Sequence, residues 1–177
     1  MKIYLACSLT HVPRAEFAAY VEFLQGLAEH LTVQHGAEVK YALRDSDPQL
    51  SQKPFTDRAR LCYIWDKEMV EWSDLVVAEA SYPSTGLGIE LQIACSREIP
   101  VVIAFKLDEG HKAPPVKYHT SDHHVHSLQV GEGYVSLMAL GLPNVFKVHP
   151  YHVTSEAYAY IGEAVETLRR LVPSPLV

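Results

Sequence analysis

Two acidic side chains and a phenol stand where this chain could do chemistry. Glu90 follows a Gly-rich turn, Pro83-Ser84-Thr85-Gly86-Leu87-Gly88, which itself follows a continuous apolar run, Leu75-Val76-Val77-Ala78. Asp66 lies upstream on a segment with helical apolar spacing, and Tyr4 lies in a short apolar stretch near the N-terminus, with Ser8 just after it. Taken singly, each has a bland explanation. Glu90 favours the N-terminal end of a helix dipole. Asp66 pairs with Lys67 on a solvated face, Tyr4 is core, and lone loop serines mean little. Together they say more. In a doubly wound sheet the loops after strands one and three meet at the topological switch point. Ser8 and Ser84 then face one crevice, with Glu90 on its floor and Tyr4 below. Two carboxylates, a phenol and phosphate-grade hydroxyls suit transfer at a sugar anomeric centre. Loss of a leaving group there builds oxocarbenium character, which a carboxylate stabilises or captures. Retaining glycosidases use such a pair about 5–5.5 Å apart. The proton donor of the pair needs a raised pKa, which burial and a neighbouring carboxylate supply.

The elements that must position these groups alternate. Lys2 to Ala6 reads as a first strand. Pro13 suits a first helical turn, and Phe17, Tyr20, Val21, Leu24, Leu27, Ala28 and Leu31 mark a helix face at spacings of three and four. Gly36 ends that helix, and Glu38 to Ala42 is a second strand. Residues 43–55 are polar, with Pro48 and Pro54, and read as a loop long enough to cover a site. A second helix spans about Thr56 to Trp72. The run from Leu75 is a strand buried on both faces, and a helix starts near Leu87, placing Glu90 in its first turn or so. Ile99 to Phe105 is a fourth strand and Val145 to Val148 a fifth, preceded by a short helix near Tyr134 to Leu140. The last helix spans about Ser155 to Leu171 with Ser155 as N-cap, and Pro173 and Pro175 close a tail. Strands alternating with helices predict α/β: a single-domain, doubly wound, five-stranded parallel sheet, flavodoxin-like or Rossmann-like, with helices on both faces.

Bulk properties narrow the partners. At 177 residues one domain over 1–177 is expected. A net charge of −6 argues against a duplex nucleic-acid binder, which needs a basic face, but leaves room for a small anionic ligand held by helix dipoles. No run approaches the length of a membrane span, and the N-terminus reads as a strand and not a signal peptide. The three cysteines, Cys7, Cys62 and Cys95, are odd in number and scattered, the pattern of reduced core residues in a cytoplasmic protein.

Asp66, the segment SDLVVAE and the segment PSTGLGIELQIA resemble the nucleoside 2-deoxyribosyltransferase family, and within it most of all the 2'-deoxynucleoside 5'-monophosphate N-hydrolases. IYLACS at Ile3 to Ser8 is similar to the family's first strand and loop, and VSLMALG at Val135 to Gly141 to the segment that lends a serine to a neighbouring subunit. The resemblance implies that Glu90 is the nucleophile at C1' of the deoxyribose, that Tyr4 orients it, and that Asp66 handles the proton of the leaving base or of the incoming water or base. It implies that Ser8, Ser84 and the amides near Gly86 and Gly88 hold the 5' end of the sugar, with Ser136 reaching across a homodimer interface. No cofactor or metal is implied. Transferases of the family often carry an aspartate at the Ser84 place, and a serine tilts the substrate towards a 5'-phosphate. Where the hydrolases carry an arginine two residues past the Ser8 position, this chain has Thr10, a weaker anion ligand. Arg14 and Arg44 are candidate substitutes.

Residues 107–131 form an insertion relative to that pattern, with His111, His119, His123, His124 and His126. A solvated loop or lid is expected there. A metal reading rests on His119 and His123 sharing a face if the segment is helical. Three functions stand open at this level: hydrolysis of a deoxynucleotide, base exchange by the same glutamate, and a non-catalytic nucleotide-sensing module on the same fold.

Overall fold

The computed structural model describes residues 1–171; Pro173 and Pro175 lie outside the described residues. The elements are β1 (Lys2–Cys7), α1 (Phe17–His35), β2 (Glu38–Lys40), α2 (Ala42–Asp45), α3 (Asp47–Leu50), α4 (Phe55–Trp72), β3 (Leu75–Glu79), α5 (Thr85–Ser96), β4 (Val101–Lys106), β5 (Lys117–His119), β6 (Val125–Ser127), α6 (Leu137–Leu140), β7 (Val145–Tyr151) and α7 (Thr154–Leu171). The main sheet has five parallel strands in the order β2-β1-β3-β4-β7. That is the predicted doubly wound arrangement. Strand order reverses between β1 and β3, so the crevice above those two strands is the switch point.

Strand alternation builds two cores. Ile3, Leu5, Leu75, Val77, Val102 and Ala104 point to the α1 and α7 side, where they meet Leu24, Leu27, Ile161 and Val165. Tyr4, Ala6, Val76, Ala78, Val101 and Ile103 point to the other side and meet Met69, Val70, Leu87, Leu91 and Ala94 of α4 and α5. The central strands are therefore apolar on both faces, as parallel strands covered by crossover helices must be. α1 stops at Gly36, whose φ of 54° lets its amide close back on Leu31.

Several local expectations change. Pro13 sits in a turn that precedes α1, accepting the Glu16 amide at 2.9 Å. β2 stops at Lys40, because Tyr41 opens α2. Residues 43–55 are not a plain loop but hold α2 and α3; the Asp45 carboxylate accepts the Tyr41 amide at 3.0 Å and caps the first of them. The predicted helix at 134–140 is the single turn of α6, and β7 runs on to Tyr151. Ser155 lies inside α7 rather than capping it. Glu156 does that work, accepting the His152 amide at 2.7 Å. Residues 107–131 contain an antiparallel hairpin, β5 with β6, exposed along both strands. The segment is not helical, so the face shared by His119 and His123 does not arise. The cysteines are free thiols, as expected; all three are half-buried, and Cys7 packs against the core.

Candidate active site

Position 90 is held from two directions. β3 ends at Glu79, and the chain turns through Ser81, Tyr82 and Pro83. α5 starts under the cap of Ser84, whose Oγ accepts the Leu87 amide at 3.1 Å. Helical spacing then lays Leu87, Leu91 and Ala94 on the sheet. Glu90 falls in the second turn, on the flank towards β1. Tyr4, buried on β1, donates its hydroxyl to Glu90 Oε1 at 2.7 Å. Glu90 Oε2 is buried and has no partner among the described residues. Burial pushes the Glu90 carboxyl up to about 8; the Tyr4 hydrogen bond opposes that shift and the nearby Asp66 charge adds to it. Burial, and then the Glu90 and Asp66 charges, push the Tyr4 phenol up as well, so it remains a donor.

Asp66 faces the same space from α4. Its Oδ1 accepts the Ser46 hydroxyl at 2.8 Å, and its Oδ2 lies 3.3 Å from the Cys62 thiol one turn earlier. Burial first, and then the Asp66 charge, push that thiol up to about 12, which keeps it a donor. Tyr4, Asp66 and Glu90 thus converge, although they come from β1, α4 and α5.

The residues expected around the sugar's 5' end divide. Ser8 is fully buried and donates to the Tyr82 carbonyl at 2.6 Å, tying the loop after β1 to the loop after β3. Thr10 is exposed in the turn that follows. Gly86 and Gly88 lie inside α5, not in the loop. The Gly88 amide is already bonded to the Ser84 carbonyl at 3.3 Å, whereas the Thr85 and Gly86 amides have no intrachain acceptor among the described residues. Ser84, Gly88 and Ser136 line a cavity of about 350 Å³ on the flank of α5 away from Glu90, closed by Leu91, Tyr134 and Met138. Ser136 caps α6, accepting the Met138 amide at 3.3 Å. Neither arginine is drawn to Thr10: Arg44 binds Asp45 at 2.9 Å and the Val39 carbonyl, and Arg14 packs over the Phe17 ring.

Two polar groups escaped the sequence reading. Ser46 was hidden in a segment without periodicity. Glu79, fully buried at the end of β3, receives the hydroxyls of Tyr20, Ser81 and Tyr151. Burial raises its pKa and these three hydrogen bonds oppose the rise. A charged residue closing an apolar strand was the one available signal.

No family model matches the chain. A protein of Methanosarcina mazei that carries the provisional name 2'-deoxynucleoside 5'-phosphate N-hydrolase 1 is 37% identical over 67 residues, or 38% of this chain and 41% of that protein. The resemblance to the nucleoside 2-deoxyribosyltransferase family holds. The matched region spans about two fifths of that relative's length. Among solved structures, the Clostridium botulinum CMP N-glycosidase BcmB aligns with a TM-score of 0.54 at 16% identity, over 91% of this chain and 97% of that one. A conserved protein from Enterococcus faecalis V583 aligns with a TM-score of 0.55 at 18% identity, over 94% and 98%. At these identities the two structures show a shared α/β fold and nothing finer. No described helix is long and apolar enough to cross a membrane.

Proposed function

We propose that the chain is an N-glycosidase that hydrolyses a 2'-deoxynucleoside 5'-monophosphate to free base and deoxyribose 5-phosphate. The observation that carries this reading is a carboxyl group with one oxygen bonded to Tyr4 at 2.7 Å and the other buried and unpartnered. A buried acceptor without a donor is costly. It becomes useful when a carbon with growing positive charge is placed against it. Glu90 attacks C1', Tyr4 orients it, and Asp66 handles the proton of the departing base and then of the water. The phosphate lies towards the Ser84 hydroxyl and the free Thr85 and Gly86 amides, where the helix dipole favours an anion. Thr10 and Ser8 border that end. The unit is a homodimer, with the exposed Met138 and Leu137 beside Ser136 supplying apolar surface for the contact.

The enzymatic rival hands the sugar to a second base instead of water. Incubation with deoxynucleotides, with CMP and with the parent nucleosides, each with and without a second free base, separates the two. Net release of base and sugar phosphate is expected; exchange without net release would establish the transferase. Glu90→Gln should lose turnover by about 10³-fold or more while keeping its fold. A sensing module would instead show no cleavage in the wild type and only altered affinity in the variant.

A further inference from the structure

Ser46 is one of five buried polar or charged side chains in the chain's described part, at 1% exposure. Three of the others, Ser8, Ser73 and Ser81, serve the packing of strand and helix ends, donating to the Tyr82 carbonyl, the Val70 carbonyl and the Glu79 carboxylate, and Glu79 is the fourth. Ser46 is different. It is the hinge between α2 and α3: its amide bonds Ala42 at 3.1 Å and its carbonyl accepts from Leu50 at 3.0 Å. Both of its backbone groups are thus committed to holding the turn. Its hydroxyl points at Asp66, donating at 2.8 Å, with the Ala42 carbonyl a distant 3.4 Å away. Cys62 approaches the other carboxylate oxygen from within α4.

We propose that Ser46, assisted by Cys62, is the positioning residue for Asp66, fixing the direction of its carboxylate and coupling the α2–α3 cover to the proton-handling group. This rests on the N-glycosidase reading given above. A carboxylate on a helix has a broad terminal torsion. Two donors, one on each oxygen, remove that freedom without filling the lone pairs that must meet the base or water. The Ser46 bond also spans two elements, so a substrate that shifts α2–α3 shifts the orientation of Asp66. Hydrogen bonds to an ionised carboxylate are among the stronger ones. Precise placement of a proton-transfer group is where such a bond affects rate rather than binding.

The test uses the full chain and has two arms. In the first, base release from deoxynucleotides is measured for the wild type, Ser46→Cys, Ser46→Ala, Asp66→Asn and the Ser46→Ala/Asp66→Asn double variant. Ser46→Ala should lower kcat by about tenfold with KM changed less than about threefold, and Ser46→Cys, a similar shape with a weaker donor, should fall between. Adding Ser46→Ala to Asp66→Asn should cost almost nothing more, because both remove the same function. Independent, multiplicative losses, or full kcat in Ser46→Ala, would overturn the assignment. In the second arm, Cys62 alkylation by iodoacetamide is followed by peptide mass spectrometry in wild type and Asp66→Asn. Removing the adjacent negative charge should speed labelling at Cys62 by about threefold or more. This arm needs no turnover. A wild type that releases no base rejects the N-glycosidase reading and the catalytic purpose of Ser46 with it, yet Cys62 still reports whether Asp66 is held. An unchanged Cys62 rate rejects the clamp even where base release is normal.

Discussion

The Tyr4 hydroxyl tunes the pH at which Glu90 ionises. On the proposed reaction the nucleophile is the carboxylate, and burial holds the free carboxyl near 8. kcat/KM for base release should therefore rise between about pH 6 and 8, since that ratio follows the free enzyme. Tyr4→Phe removes the bond that favours the charged form, so the rise should move to higher pH and the value at pH 7 should fall. Asp66→Asn removes a repelling charge and should move what activity remains the opposite way. Profiles that move together in both variants would contradict this. Glu79 makes a different demand. It gathers three hydroxyls inside the core, and Glu79→Ala leaves the Tyr20 and Tyr151 hydroxyls without that acceptor. We expect a loss of about 2–4 kcal/mol in urea unfolding, and a loss under about 1 kcal/mol would show that the network repacks. These contacts were only partly legible in the sequence. Spacing places Glu90 on a helix flank and Tyr4 in a strand, but which flank meets which strand depends on crossovers between distant segments. The family resemblance supplied the Tyr4–Glu90 partnership; nothing supplied Ser46 with Asp66.

At the level of elements, legibility followed burial. β1, β3 and β4 are covered on both faces and leave unbroken apolar runs. α1, α4 and α7 are long enough for a 3.6-residue period to show. α2 and α3 are four-residue helices, too short for any period, and are held by a side-chain cap and the Ser46 hinge. The β5–β6 hairpin reads as loop because both its faces are wet: Lys117, His119, Val125 and Ser127 are all exposed. Its ladder joins three residue pairs, Lys117 with Ser127, Tyr118 with His126 and His119 with Val125. A ribbon of that size adds little stability alone. Replacing residues 117–127 with a short Gly-Ser link should leave the melting temperature within about 3 °C of wild type. A larger drop in calorimetry would mean that the hairpin packs on the sheet in solution.

For the whole molecule, a raised carboxyl pKa is also a statement about stability. The native state keeps a proton on Glu90 that the unfolded chain gives up near 4.5. Between there and about 8 the native state binds more protons, so this group's contribution is fully present below the unfolded value and is lost as pH rises through about 8. Glu90→Gln does not ionise. The difference in melting temperature between variant and wild type should therefore shift in the variant's favour from pH 5 to pH 8.5, and a constant difference would show that Glu90 titrates normally. The overall architecture was the most legible scale of all. Alternating elements allow few right-handed doubly wound orders, and the observed order puts Tyr4 of β1 and Glu90 of α5 beside the reversal.

β1 precedes the other strands of the main sheet in chain order, yet it lies between β2 and β3, and Tyr4 pairs in register with Val76. A nascent chain can dock β1 on β2 early, but its inner edge stays open until β3 emerges, and Tyr4 has no acceptor until α5 has left the ribosome. Synthesis must thus pass residue 79 before the inner edge of β1 is paired, and residue 90 before Tyr4 meets its acceptor. Translation stalling within α4 would expose an apolar, unpaired strand edge, the species from which aggregation starts.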